Sequence, residues 1–130
     1  MAVVELTQEN LESTIRDNDI VLIDFWAEWC GPCKSFAPIY EKVAENHPDI
    51  AFGKVDIQQQ EEIAQMFGIR SIPTLAVFRE QTLIMLEAGA MPENTLEQAI
   101  ETVRGLDMDE VRADLKKRAD EARQQEQASG

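Results

Sequence analysis

The stretch Trp29-Cys30-Gly31-Pro32-Cys33-Lys34 contains the only two cysteines of the chain, three positions apart. An apolar run at residues 20–27 precedes it and predicts a buried strand, and residues 34–46 have the spacing of a helix. The cysteines therefore stand where a strand passes into a helix. Free backbone N–H groups in the first turn of a helix stabilise a nearby negative charge such as a thiolate. This pattern indicates a dithiol that exchanges with the disulfides of other proteins.

Composition and charge limit the classes of protein to which the chain can belong. Its 130 residues, 44% hydrophobic and 28% charged, suit one globular domain with a core. No apolar run reaches the length of a membrane span, and the first residues lack a basic start with an apolar core. We therefore predict no membrane segment, no secretory signal and a cytoplasmic location. The net charge of −13 argues against nucleic acid as a partner, because phosphate binding needs clustered Lys and Arg.

Two other uses of the cysteine pair are less favoured. A disulfide that closes so short a loop constrains the unfolded chain very little, which argues against a purely structural crosslink. A tetrahedral zinc site would lack two of its four ligands, so we predict no metal site. His47, the only histidine, precedes Pro48 at a predicted helix end, and we expect it to be a solvated end residue.

The rest of the domain shows an alternation of strand and helix patterns. Further strands are expected at residues 3–6, 50–57, 75–78 and 82–86, and further helices at residues 7–17, 59–66 and 92–104. Strand, helix and strand around the cysteines predict a parallel crossover unit. The turn Glu80-Gln81 lacks the Asn-Gly or Asp-Gly pair that hairpins favour.

The composition changes near the C-terminus, and we predict a domain at residues 1–105 followed by a helical extension or tail at residues 106–130. Asp107 starts a capping-box pattern, and a thin apolar stripe that includes Leu115 follows it. Residues after Arg123 are expected to fray. Because the stripe is thin, a solvated helix is favoured over a partner-binding or self-association helix.

The order of these elements resembles the thioredoxin family from about Leu6 to Val103. The motifs that carry the resemblance are Asp24-Phe25-Trp26-Ala27-Glu28-Trp29-Cys30-Gly31-Pro32-Cys33-Lys34, the pair Lys54 and Asp56, Gly68-Ile69-Arg70-Ser71-Ile72-Pro73-Thr74, and Gly89-Ala90. A lone Cys-x-x-Cys is a weak signal, whereas this set in this order is specific. The resemblance implies an α/β thioredoxin fold, with a central mixed β-sheet flanked by helices on both faces, plus an extra C-terminal helix.

The resemblance also implies different roles for the two cysteines. Cys30, at the helix start, is expected to be the exposed residue and to attack as the thiolate. Cys33, inside the first turn, is expected to be shielded and to resolve the mixed disulfide. Gly31 and Pro32 match the dipeptide of the family and are expected to tune the redox potential to a reducing value.

Asp24 is an acidic residue inside an apolar strand, so we expect it to be buried, with a strand half-exposed to water as the alternative. Burial raises the pKa of a carboxyl group. By resemblance, Asp24 passes protons to and from Cys33 as a general base. Lys54 is its expected neighbour in the next strand, where it either tunes the site or is an ordinary solvated lysine.

Pro73 resembles the cis-proline that faces the disulfide in the family. Such a proline leaves the backbone of Ile72 free to pair with an extended substrate segment. The residues expected to form the apolar contact surface around the disulfide are Trp29, Ile72, Gly89 and Ala90.

As a whole, the resemblance implies a thiol–disulfide oxidoreductase that reduces protein disulfides. It implies no bound cofactor, a redox-active Cys30–Cys33 disulfide, and recharging by NADPH through a thioredoxin-reductase-like flavoenzyme. The other partners would be disulfide-containing client proteins, and the chain itself a monomer. One alternative is a thioredoxin-fold chaperone or binding protein that acts through its C-terminal tail, and another is a dedicated electron donor to one enzyme.

Overall fold

The computed structural model describes residues 2–129, with side chains described through Glu126. Within this range the backbone forms five strands and five helices, listed here in chain order. They are β1 (Val3–Glu5), α1 (Leu11–Asp17), β2 (Ile20–Trp26), α2 (Gly31–Asn46), β3 (Ala51–Asp56), α3 (Glu61–Met66), β4 (Thr74–Arg79), β5 (Thr82–Ala88), α4 (Glu93–Arg104) and α5 (Met108–Ser129).

The five strands form one mixed sheet in the order β1-β3-β2-β4-β5. The central strand β2 pairs in parallel with β3 and antiparallel with β4. The outer strands β1 and β5 pair in parallel with β3 and antiparallel with β4, respectively. The predicted mixed sheet and the parallel pairing of the strands on either side of α2 are confirmed.

Helices cover both faces of the sheet, because successive side chains of β2 point to opposite sides. Leu22 packs in a cluster with side chains of α2 and α4, such as Phe36 and Ile100. Ile23 packs in a second cluster with side chains of α1 and α3, such as Ile63. The predicted burial of β2 on both faces is therefore confirmed.

Helix α1 begins at Leu11, three residues later than the start predicted with Thr7 as the N-cap. Asn10 rather than Thr7 stands at the N-cap, and its side chain is engaged outside the helix. The Asn10 Oδ1 atom accepts a hydrogen bond from the Thr7 N–H at 2.7 Å, and its Nδ2 atom donates to the Glu5 carbonyl at 3.0 Å. These bonds fold residues 7–10 into a turn that connects β1 to the helix.

His47 is not the solvated end residue that the sequence predicts. Its ring is half-buried, with Nε2 3.1 Å from both carboxylate oxygens of Glu97 and Nδ1 3.0 Å from Arg104 Nη2. Arg104 also forms an ion pair with Asp49 at 2.8 Å. These contacts fasten the end of α2 to α4, and their partners lie about 50 residues away in the sequence, where no local pattern reveals them.

One arginine holds the junction between α4 and α5. Arg79, at the end of β4, donates from Nη1 to the carbonyl oxygens of Val103, Arg104 and Leu106 at 2.9, 3.2 and 2.7 Å. The Asp107 carboxylate then caps α5 by accepting the N–H groups of Asp109 and Glu110. Helix α5 runs to Ser129, beyond the predicted fraying point at Arg123.

Candidate active site

The two cysteines lie where β2 passes into α2, and they form a disulfide with a Cα–Cα distance of 5.3 Å. Cys30 is the N-cap residue of α2, and its Sγ atom accepts the Cys33 N–H at 3.2 Å. Gly31 and Pro32 occupy the first turn of α2, between the two cysteines. The N–H groups of this turn have no partner within the helix, so a proline here costs no helical hydrogen bond. The sulfur of Cys30 therefore lies at the end of the helix that favours negative charge.

The expected difference in exposure between the cysteines is wrong for this oxidised state. Cys30 is 4% exposed and Cys33 is 2% exposed, so both residues are buried. The loop before β4 covers the pair, and the Ile72 carbonyl oxygen lies 3.7 Å from Cys30 Sγ. Sequence position at the helix start could not reveal this cover, because Ile72 lies 42 residues further along the chain.

The loop that covers the disulfide contains a cis peptide bond between Ile72 and Pro73, as predicted. The Pro73 carbonyl accepts the N–H of Gly89 at 2.8 Å, which brings the end of β5 beside the proline. Gly89 has a φ of 103°, a left-handed conformation that glycine adopts without strain. Ala90 follows it and is exposed.

Trp29 contributes an exposed aromatic side chain next to Cys30. It is 65% exposed, which is unusual for so large an apolar group. Ile72 is half-buried, whereas Gly89 and Ala90 are exposed. Trp29 and Ile72 thus lie beside Cys30, and Gly89 lies beside Pro73.

Behind the disulfide, a small cavity of about 110 Å³ joins a buried acid to Cys33. The residues that line it are Asp24, Trp26, Cys33, Lys34, Ala37 and Lys54. Asp24 is buried as predicted, and its Oδ1 atom has no hydrogen-bond partner. Burial raises the pKa of Asp24 to about 7, although the positive charge of Lys54 partly opposes this rise.

The sheet register places Lys54 opposite Asp24, as the sequence predicted. The Lys54 Nζ atom lies 5.2 Å from the centre of the Trp26 ring, a cation–π contact. Trp26 also lines the cavity and has a buried Nε1 atom without a partner. Its position two residues after Asp24 in one strand was the signal that both face the same side.

Tyr40 is a neighbour of the site that sequence reasoning missed. Its hydroxyl donates to the Gly53 carbonyl at 2.7 Å in the core beneath the cavity. Burial, together with the nearby charge of Asp24, raises the pKa of Tyr40 well above its usual range. Tyr40 therefore stays neutral and has a structural role. The only sequence signal for its position was its helical spacing from Cys33, which places it on the inner face of α2.

The thioredoxin family model matches residues 2–102 of the chain. A relative from Streptomyces coelicolor, named "Putative thioredoxin 2", is 61% identical over 109 residues, which cover 84% of this chain and 81% of the relative. The chain belongs to the thioredoxin family. Thioredoxin 1 of the cyanobacterium Nostoc is 37% identical over 102 residues, covering 77% of this chain and 95% of the relative.

Solved structures of thioredoxins have the same fold. A thioredoxin mutant from Halobacterium salinarum superposes with a TM-score of 0.75 at 34% identity, covering 81% of this chain and 93% of that one. The short form of thioredoxin f from spinach chloroplast gives a TM-score of 0.73 at 33% identity, covering 79% and 94%. Neither match reaches the whole of this chain, which carries α5 in addition.

Membership of the thioredoxin family establishes the activity. The chain is a thiol–disulfide oxidoreductase acting on protein disulfides, with Cys30 and Cys33 as its redox-active pair and no bound cofactor. The family implies disulfide-containing client proteins and a reductase as partners. Nothing in the comparisons favours a chaperone or binding protein that acts through the tail.

Two further findings concern other kinds of site. Across residues 2–129, no helix is both long and apolar enough to cross a membrane. Over the same described part of the chain, no three side chains of His, Cys, Asp or Glu lie close enough together to hold a metal ion.

Proposed function

We propose that Cys30 is the attacking cysteine and Cys33 the resolving one. The observation that carries this proposal is the position of Cys30 Sγ at the N-cap of α2, where it accepts the Cys33 N–H at 3.2 Å. In the reduced protein the same N–H and the helix dipole would stabilise a thiolate on Cys30. Cys33 lies deeper and faces the inner cavity instead.

The reaction then proceeds by two exchanges that transfer two electrons. The Cys30 thiolate attacks one sulfur of a client disulfide, so a Cys30–client bond forms and the other client sulfur leaves as a thiolate. The Cys33 thiolate then attacks Cys30 Sγ, which forms the Cys30–Cys33 disulfide and releases the second client thiolate. The client gains two electrons and the protein loses two.

Asp24 is the proposed acceptor of the Cys33 proton. A group with a pKa of about 7 can take up and release a proton near neutral pH. Asp24 and Cys33 line the same cavity, which has room for a bridging water molecule. Lys54 has the supporting role of limiting the rise in the pKa of Asp24.

Client proteins are proposed to bind as extended segments across the covering loop. The backbone of Ile72 would pair with the client backbone, while Pro73 keeps the loop against the disulfide. Trp29, Gly89 and Ala90 would supply apolar contact on either side. Gly31 and Pro32 are proposed to set the reducing potential of the pair.

The oxidised protein is proposed to be recharged by NADPH through a thioredoxin-reductase-like flavoenzyme. Such a cycle fits the cytoplasm, where protein thiols are kept reduced. General disulfide reduction, rather than donation to one enzyme, is supported by the open apolar surface around Trp29.

Trapping the mixed disulfide tests the assignment of the two cysteines. The reduced Cys33→Ser variant should accumulate a covalent adduct with insulin, because Cys30 can still attack the insulin disulfide but no Cys33 thiolate remains to release the product. Cys30→Ser should form little adduct, since the remaining thiol of Cys33 lies inside the first turn of α2 and faces the inner cavity. Intact-mass measurement shows which of the two variants carries the adduct. Glu45→Gln, on the exposed side of α2, is the control and should reduce insulin normally with NADPH and reductase. Adduct formation by Cys30→Ser alone would overturn the assignment.

A further inference from the structure

A pocket between the end of β5 and the start of α4 lies beside the residues proposed to contact clients. Its volume is about 340 Å³, the space of about eleven water molecules, so it can take a whole side chain. The residues that form most of its lining are Met85, Gly89, Ala90, Met91, Thr95 and Ala99. We call it the Met91 pocket. The client contacts proposed above include Gly89 and Ala90 but none of its other residues.

The Met91 pocket exists because small side chains of α4 face the edge of the sheet. Strand β5 is an edge strand, and Met85 lies opposite Val77 in its register, on the face that α4 covers. Thr95 and Ala99 are one helical turn apart, so they lie on the same face of α4. A threonine and an alanine are too short to fill the space, so the half-buried Met85 and Met91 stay accessible from outside.

Gly89 connects the Met91 pocket to the disulfide. It lines the pocket and donates its N–H to the Pro73 carbonyl at 2.8 Å, and the carbonyl of the preceding Ile72 lies 3.7 Å from Cys30 Sγ. Adjacent strands lie about 4.8 Å apart, and an extended chain advances about 3.3 Å per residue. A client segment paired with Ile72 therefore reaches the pocket with a residue within about three positions of its own cysteine.

A client is also the molecule that has to approach this part of the surface. Every client disulfide comes to Cys30, so in each turnover the chain next to the client cysteine lies close to Gly89. Within the described residues, everything that lines the pocket belongs to residues 85–99, so no other segment of the chain fills it. The pocket is thus a continuation of the surface on which clients are proposed to bind.

The charge at the pocket comes from Glu87, the one charged residue among the described residues that line it. Glu87 is exposed and forms no ion pair in the part of the chain that the structure describes, whereas the nearby Glu93 pairs with Lys42 at 2.9 Å. A client carboxylate here would meet an unbalanced negative charge, and like charges brought together weaken binding. An apolar client side chain meets the two methionines without this cost.

We propose that the Met91 pocket is a specificity subsite that takes an apolar side chain of the client, within about three residues of the client cysteine. The inference rests on the proposed function, in which client segments lie along Ile72. Clients with leucine, methionine or phenylalanine at that place are favoured, and those with aspartate or glutamate are disfavoured by Glu87. The pocket adds a preference and leaves general disulfide reduction in place, because a side chain in an open pocket is only partly removed from water.

Reduction of model clients by the reduced full chain tests the proposal in a single turnover. The substrates are symmetric disulfides of a short alanine-rich peptide with a central cysteine, and each disulfide yields two free peptides that mass spectrometry counts. Leucine is placed in turn at each of the three positions on either side of the cysteine. At one of them it should raise the second-order rate constant about tenfold over alanine, and aspartate there should lower it below that of alanine.

A matched pair of substitutions on α4 tests whether the preference comes from the pocket. Ala99→Phe should fill the pocket and remove the preference for leucine, whereas Gln98→Phe, on the exposed side of the same helix, should keep it. Thr95→Leu, at an exposed position where folding is unaffected, should also reduce the preference. Glu87→Gln should remove the penalty on aspartate and leave the preference for leucine unchanged.

The possible results separate this inference from the function on which it rests. A leucine effect below about twofold at every position, with the peptide disulfides still reduced, would overturn the subsite and leave the proposed function standing. A preference that survives both Ala99→Phe and Thr95→Leu would overturn the subsite too, because leucine would then bind elsewhere, as on Trp29. Failure to reduce any peptide disulfide would count against the proposed function and overturn the subsite with it.

Discussion

At the scale of single residues, Asp24 has the most unusual environment in the molecule. Its strand is apolar, its Oδ1 atom has no partner, and Lys54 is the cation that moderates its charge. The folded chain therefore carries a carboxyl group with a pKa of about 7 in place of the ordinary 3.8. Such a group is suited to proton transfer near neutral pH but costs stability when it ionises.

Asp24→Asn should stabilise the protein in alkaline solution. The folded chain binds the Asp24 proton more tightly than the unfolded chain, so stability falls as pH rises between 3.8 and about 7. Removing the ionisable group should raise the free energy of unfolding by about 2–4 kcal/mol near pH 8 and by little near pH 4. Urea unfolding at both pH values measures this, with Glu45→Gln as an exposed control. A gain of equal size at both pH values would contradict the pKa of about 7.

Cys30 shows how far residue-level reasoning extended. Its place at the helix start, and hence its contact with the free N–H of Cys33, followed from the spacing of two cysteines after a strand. The burial of Cys30 did not follow from that spacing, because the backbone of Ile72 that covers it belongs to a loop distant in sequence. Local chemistry predicted the electrostatics of the sulfur, whereas packing decided its exposure.

At the scale of elements, the β4–β5 turn is the feature with the poorest local chemistry. Glu80 and Gln81 have φ values of 49° and 66°, in the left-handed region that side chains disfavour. The turn still forms, because the pairing of β4 with β5 fixes its ends and the Glu80 N–H donates to the Asp19 carbonyl at 2.8 Å. Tertiary contacts thus override the residue preference.

Gln81→Gly should relieve this unfavourable conformation. Glycine adopts a positive φ without a Cβ penalty, so the free energy of unfolding should rise by about 1 kcal/mol, which raises the melting temperature by a few degrees. Thermal unfolding followed by circular dichroism measures the change. Gln81→Ala removes the same side chain but keeps Cβ, and it should give no comparable gain. If both variants gain equally, the backbone conformation is not the cause.

At the scale of the whole molecule, the position of α5 is the main departure from a plain thioredoxin domain. The sequence predicts a boundary between residues 105 and 106, and that boundary stays a prediction. The first turn of α5 packs on the domain through buried Met108, while Arg79 bonds the Leu106 carbonyl at 2.7 Å. We expect the stabilising contacts of the tail to end near Arg112.

Two truncations measure how much of the tail the domain needs. A chain ending at Gly105 loses Met108 from the core and one acceptor of Arg79, so it should lose about 2–3 kcal/mol of unfolding free energy. A chain ending at Ala113 keeps both contacts and should stay within about 0.5 kcal/mol of the full chain. Urea unfolding gives the values, and both should still reduce insulin. Equal stability of the two truncations would show that Met108 contributes nothing.

The sequence by itself determined the fold class, the cysteine pair at a helix start and the buried acid in the central strand. The cysteine pair and the buried acid depend on residue spacing within one strand or helix, where local geometry acts at short range, whereas the thioredoxin fold followed from the resemblance of motifs along residues 6–103. Only the tertiary structure decided that the Ile72–Pro73 loop buries Cys30, that His47 joins α2 to α4, and where α5 leaves the domain. Those features depend on groups that are distant in sequence, and packing of the whole chain alone brings such groups into contact.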